Sequence, residues 1–171
     1  IYDVPETHFS LTDGGSKGVY VTAKTNGDVA VKAIVSGYKT GVKVLYEVLD
    51  AEGKVVAKAG DKQKLHVDSP ILWNGIENPY LYTLRATVSD NGKVMDEVKI
   101  RFGFRDIKFD ANEGCFLNGK YIKLKGVSRH QDRWGLGNAL KPEHHKEDMD
   151  LIYEMGATTI RLAHYQHNQY F

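Results

Sequence analysis

The stretch KLKGVSRHQDRWGL, residues 123–136, decides how the rest of the chain is read. A short apolar run over 122–127 predicts a buried strand. It gives way at once to Arg129, His130, Gln131, Asp132 and Arg133. Polar and titratable side chains set directly behind a buried strand are what the C-terminal mouth of an α/β barrel looks like in sequence. A second such point follows, where Thr159-Ile160-Arg161-Leu162 runs into Ala163-His164-Tyr165. Between the two lies a polar loop over 128–141 and then a helix signal. Pro142 suits a first helical position, where its missing N–H is not needed. Glu143, Glu147 and Asp148 fall near the positive end of that helix, and Met149, Ile152 and Tyr153 share one face. Gly156 supplies a stop. Strand, helix, strand predicts a βαβ unit with parallel strands and a right-handed crossover.

Upstream of this unit the pattern has period two. Residues 18–25 alternate as a half-buried strand, Asn26-Gly27-Asp28 is a turn, and Val29, Val31, Ala33 and Val35 form the next face. Val42, Val44, Tyr46 and Val48 form a third face, and shorter strands are predicted over 54–58 and 62–67. Residues 70–79, with two prolines and Trp73, read as a loop whose indole packs on a sheet edge. Tyr80, Tyr82, Leu84, Ala86 and Val88 alternate up to an Asn91-Gly92 turn, after which Val98, Ile100 and Phe102 close the pattern. Residues 1–10 read as irregular. About seven strands in about 100 residues predict an immunoglobulin-like β-sandwich over 1–103, without the cysteine and tryptophan spacing of antibody domains. An extended run over 104–110 and a hairpin turning at Asn118-Gly119 then lead into the barrel-like part, 104–171. Those 68 residues compare with about 250 for a complete eight-fold barrel, so only its first βαβ unit is expected here, a truncated piece.

Composition excludes some partners. Twenty-three basic against 22 acidic residues leave a net charge of +1, and no basic block tracks a phosphate backbone, so nucleic acid is not expected. No apolar run approaches the ~20 residues of a membrane helix, so no membrane partner is expected either. Cys115 is the single cysteine and reads as core filler. It does not separate a periplasmic from a cytoplasmic location. His144 and His145 read as solvated residues of the helix start, and His8, His66 and His167 as surface or packing residues. A metal site built from His130, Asp132 and His164 lacks a third histidine at ligand spacing, and no metal ligand is assigned.

Several of these segments together resemble glycoside hydrolase family 2. They are Leu72-Trp73, residues 78–84 (NPYLYTL), Gly103-Phe104-Arg105, Leu117-Asn118-Gly119-Lys120, residues 125–132 (KGVSRHQD) and residues 160–165 (IRLAHY). The wording Arg129-His130-Gln131-Asp132 is most similar to bacterial β-galactosidases; β-glucuronidases and β-mannosidases share the architecture. The resemblance implies a retaining glycosidase that uses one carboxylic acid as acid/base and one carboxylate as nucleophile. In the family both are glutamates on later barrel strands, expected past Phe171. No catalytic residue is therefore assigned in this chain, and the chain alone is expected to be inactive. What carries over is substrate binding. His130 and His164 match histidines that hydrogen-bond sugar hydroxyls, and Arg161 matches the arginine that orients the nucleophile. Asp132 and Arg129 join them as residues that hold the loop or reach a hydroxyl. Trp134 is a candidate apolar platform for a sugar ring. Ser128 stands where the family usually has Asn, and Ala163 where it often has Cys or Ser. Magnesium or sodium assists some family members, with no ligand assignable here, and no other cofactor is expected. The expected partner is a β-galactoside or related sugar. A non-catalytic carbohydrate-binding or scaffold sandwich is the reading from another class. Unpaired barrel strands would in addition favour self-association.

Overall fold

In the computed structural model, which describes residues 3–168 and residue 170, the alternating segments form strands. Phe171, the residue past which the two catalytic glutamates are expected, lies outside the described residues. The strands are β1 (His8–Phe9), β2 (Val19–Ala23), β3 (Asp28–Ala33), β4 (Val35–Ser36), β5 (Val42–Leu49), β6 (Val55–Gly60), β7 (Leu65–His66), β8 (Tyr82–Asp90) and β9 (Lys93–Phe102). The chain then continues through β10 (Ile107–Asp110), β11 (Gly114–Leu117), β12 (Lys120–Ile122), β13 (Gly126–Arg129), α1 (Pro142–Glu154) and β14 (Thr159–Leu162). Two compact units result, one of residues 1–107 with 117–119, the other of residues 108–116 with 120–171.

The first unit is a sandwich of a four-stranded sheet, β6-β5-β8-β9, and a three-stranded sheet, β2-β3-β7, all antiparallel. Period-two alternation decides its core. Val42, Val44, Tyr46 and Val48 of β5 are buried with Tyr82, Leu84, Ala86 and Val88 of β8. Their register pairs Tyr46 with Ala86 and Val48 with Leu84, so the apolar rows lie side by side on one face. Residues 1–10 are not wholly irregular. Phe9 is buried, β1 pairs with β4, and the Phe9 N–H donates to Asp96 Oδ2 at 2.9 Å. Two residues make too short an alternation to be seen in sequence.

The compact sandwich unit runs to Ile107, and Phe104, 0% exposed, belongs to its core. Its ring stands edge-on to Tyr82 at 5.0 Å and to Phe102 at 5.4 Å. Residues 117–119 return to this unit through Asn118. Its side-chain amide donates to the Trp73 carbonyl (3.0 Å) and to Asn74 Oδ1 (2.6 Å), while its Oδ1 accepts the Asp106 N–H (2.9 Å). The Arg105 guanidinium lies 4.7 Å from the Trp73 ring centroid, a cation–π contact. Leu72-Trp73, Gly103-Phe104-Arg105 and Leu117-Asn118-Gly119 therefore build one joint of the sandwich. Asn118 and Gly119 both have positive φ, as a two-residue hairpin turn requires.

In the second unit, β13 and β14 are parallel, with Ser128 opposite Arg161 and Arg129 opposite Leu162. The strand read over 122–127 lies instead at Gly126–Arg129, since Ile122 ends the β11–β12 hairpin. Helix α1 begins at Pro142, and His144 Nδ1 accepts the Lys141 N–H at 3.0 Å, satisfying one donor before the first turn. The apolar face expected of α1 is not its buried face: Met149 and Tyr153 are exposed, whereas His145 is 2% exposed. With two parallel strands and one helix, this unit also leaves Leu151, Met155 and Leu162 exposed.

Candidate active site

Alternation along β13 sorts the predicted site residues. Val127 and Arg129 share one face, and Arg129 meets α1 there, so Ser128 and its register partner Arg161 lie on the opposite face. Arg129, 6% exposed, donates through Nε and Nη2 to Asp148 Oδ2 (2.9 and 2.5 Å), and Nη2 lies 3.0 Å from His145 Nδ1. Its Nε and Nη2 are engaged at the strand–helix interface, which fits the loop-holding side of the expectation for Arg129. His145 is correspondingly not a solvated helix-start residue. Burial, followed by the adjacent Arg129 charge, holds its imidazole below the usual histidine pKa. An imidazole facing a guanidinium can only accept, which fixes its Nδ1 as the acceptor.

At the strand ends His130, His164 and Arg161 converge. The rings of His130 and His164 meet edge-on, with centroids 5.1 Å apart, and Tyr165 stands 6.1 Å from His130. Arg161 Nη2 lies 3.1 Å from His164 Nδ1. Arginine has no acceptor, so Nδ1 accepts and the proton of neutral His164 sits on Nε2, able to donate. The Tyr165 hydroxyl oxygen accepts the Gln131 N–H at 2.8 Å, which leaves its own hydrogen to be donated. Gln131 Oε1 in turn accepts the Asn168 N–H at 2.6 Å, and the Ala163 N–H donates to the Arg129 carbonyl at 3.0 Å. The two βα loops are thereby stitched together behind His130 and His164. Tyr165 and Gln131 were missed in sequence, because nothing in local spacing marks a hydroxyl that accepts from a loop 34 residues away.

Asp132 is exposed in the same loop. Three acids of α1 are engaged: Glu147 with Arg133 (2.7 Å), Asp148 with Arg129, and Asp150 with Lys146. Arg133 holds the Glu147 carboxyl below the usual carboxylate range. Among the described residues no group of three His, Cys, Asp or Glu side chains is placed to hold a metal. The arrangement can donate and accept hydrogen bonds to a polyhydroxyl ligand. On the sandwich, a separate cleft of about 460 Å³ is lined by Trp73, Leu81, Arg101 and Arg105 among others.

Residues 15–105 match the model of glycosyl hydrolases family 2, and residues 110–171 match the TIM barrel domain of the same family. A β-glucuronidase of Bacteroides fragilis is 37% identical over 96% of this chain, which spans 26% of that protein. A β-galactosidase of Bacteroides ovatus is 36% identical over 72% of the chain and 16% of its own length. Among solved structures, an FMN-binding β-glucuronidase from Facaelibacterium prausnitzii is 37% identical with a TM-score of 0.89, over 98% of this chain and 27% of that one. The chain thus spans about a quarter of the length of the first of these relatives.

Proposed function

The chain belongs to glycosyl hydrolases family 2, and on that premise we propose that it forms one substrate-binding wall of a retaining β-glycosidase acting on terminal β-glycosides. The observation that carries this reading is the meeting of His130 and His164, from two successive parallel strand ends, with Arg161 donating to His164. His164 Nε2–H and the Tyr165 hydroxyl are donors for sugar hydroxyls, and exposed Asp132 is the carboxylate that can accept from one. Arg161, on the face opposite α1, is placed to hold a carboxylate by its planar fork. Retention of configuration needs two carboxyls ~5–5.5 Å apart across the anomeric carbon. Glu147, Asp148 and Asp150 of α1 are engaged with Arg133, Arg129 and Lys146, and the catalytic pair is expected on other strands of the barrel, as the family resemblance implies.

Two sugars are read in parallel. The Arg129-His130-Gln131-Asp132 wording supports a galactoside, whereas the longer match to a β-glucuronidase, 96% of the chain against 72%, supports a glucuronide. The test is hydrolysis of nitrophenyl β-galactoside and nitrophenyl β-glucuronide by an enzyme containing this stretch with the remaining barrel strands. His130→Ala and Arg161→Ala are expected to lower kcat/KM by roughly 10- to 100-fold or more on the preferred substrate, as for loss of hydrogen bonds to charged groups. Unchanged kinetics in both variants would sink the reading. The 171-residue chain alone is expected to turn over neither substrate. A rate from it that Arg161→Ala abolishes would show that the carboxylate pair lies within these residues.

A further inference from the structure

His130 sits on a backbone that is held from both sides, and both holds come from the loop that carries His164. The peptide group ahead of His130 presents the Arg129 carbonyl, which accepts the Ala163 N–H at 3.0 Å. The peptide group behind it presents the Gln131 N–H, which donates to the Tyr165 hydroxyl at 2.8 Å. Ala163 and Tyr165 are the two neighbours of His164 in the chain. Because each peptide group is planar, holding the planes on either side of His130 sets its φ and ψ, and with them the direction of its Cβ. The first hold is a backbone pair that any residue at 163 except proline could make. The second depends on a single side-chain oxygen.

That oxygen is itself well placed to hold. The Tyr165 ring stacks on His167, with centroids 5.2 Å apart and planes at 21°, and His167 Nε2 lies 3.0 Å from the Ala163 carbonyl. Gln131 is gripped a second time, where its Oε1 accepts the Asn168 N–H at 2.6 Å. Tyr165 meets the His130 ring edge-on, with centroids 6.1 Å apart, and the directional link between them is the bond to the Gln131 N–H. His130 in turn meets His164 edge-on at 5.1 Å. The loop bearing one histidine thus determines how the other is presented.

We propose that Tyr165 is a positioning residue for His130: its hydroxyl oxygen, acting through the Gln131 peptide, sets the angle at which the His130 imidazole meets His164 and a sugar hydroxyl. The assignment rests on the glycosidase reading above. The experiment is a double-mutant cycle in the enzyme containing this stretch with the remaining barrel strands, on the preferred of nitrophenyl β-galactoside and nitrophenyl β-glucuronide. Tyr165→Phe removes the oxygen and keeps the ring that stacks on His167. It is expected to lower kcat/KM about 3- to 10-fold, as for one hydrogen bond lost. In the His130→Ala background the same change is expected to cost less than about twofold, because the side chain to be positioned is gone. A direct bond from Tyr165 to the sugar, or a general structural role, would cost the same factor in both backgrounds, and equal factors overturn the proposal. A fall of less than about twofold in the otherwise unmodified enzyme overturns it as well. An enzyme inert to both substrates would instead overturn the glycosidase reading. The positioning is then decided on the rings themselves, by NMR of the same enzyme with labelled histidine. Cross-relaxation between the ring protons of His130 and His164 is expected to weaken severalfold in Tyr165→Phe, and unchanged cross-relaxation overturns the proposal.

Discussion

Removing the carboxylate of Asp148 tests whether Arg129 is scaffold or ligand-binding. Arg129 is 6% exposed and donates two hydrogen bonds to Asp148 Oδ2. Truncating one partner of a fully buried ion pair costs about 3–5 kcal/mol, chiefly from the charge left behind. The Asp148 side chain is 29% exposed, so water can partly replace it, which lowers the expected cost of Asp148→Ala to about 2–3 kcal/mol. The suitable assay is native-state amide exchange at Ala163, whose N–H donates to the Arg129 carbonyl and reports opening of the β13–β14 ends. The expected loss of protection is ~30- to 140-fold, since each 1.4 kcal/mol is a factor of ten. Replacing both partners, Arg129→Met with Asp148→Leu, should recover most of it, because no charge is then buried. Protection within about twofold of the unmodified chain in Asp148→Ala, or a double variant as poorly protected as the single, would refute the loop-holding reading of Arg129.

Three further outcomes are expected. His145 has a folded-state pKa depressed by burial, so below about pH 6.5 the unfolded chain takes up a proton that the folded chain resists. Amide protection around α1 should therefore fall from pH 7 to pH 5, and His145→Gln should flatten that slope. Asp28 is hydrogen-bonded by His66 (2.8 Å) and by Asn26 and Lys64, which bring its pKa down to about 2. The stability this lends is present above the ordinary value of 3.8 and disappears as pH falls towards 2. A carboxyl-carbon NMR titration should place the midpoint near 2, moving upward in His66→Ala, and a midpoint at the ordinary 3.8 in the unmodified chain would contradict the geometry. Phe104→Ala should destabilise the sandwich by about 3–5 kcal/mol in urea unfolding, as a fully buried ring with two edge-on aromatic partners predicts. A loss below about 1 kcal/mol would place Phe104 outside that core.

Expected and observed architecture agree wherever a periodic signal is long. The rows from Val42 to Val48 and from Tyr82 to Val88 need only alternation to show which side chains turn inward, and both are buried as read. The helix at Pro142 is legible from its first residue, because proline suits that one place in a helix. Signals of two or three residues fail: β1 was invisible, and β13 begins four residues later than the apolar run suggested. The family resemblance brought His130, His164 and Arg161 forward together, and they do converge at the ends of β13 and β14.

Sequence alone determined residue chemistry and period: two histidines and an arginine behind buried strands, and a sandwich ahead of them. Only tertiary structure decided which way each side chain turns. Arg129 and His130 are neighbours in sequence, yet Arg129, the last residue of its strand, is turned onto α1 and bound to Asp148, while His130, past the strand's end, meets His164. The same holds for the two tryptophans: Trp73 lies under Arg105 in a joint of the sandwich, and Trp134 stands in solvent on a closed loop. The partners that decide these placements are distant in sequence, as Asp148 is from Arg129 (19 residues) and Tyr165 from Gln131 (34 residues). Strand pairing and helix packing bring them close, and spacing along the chain carries no record of them.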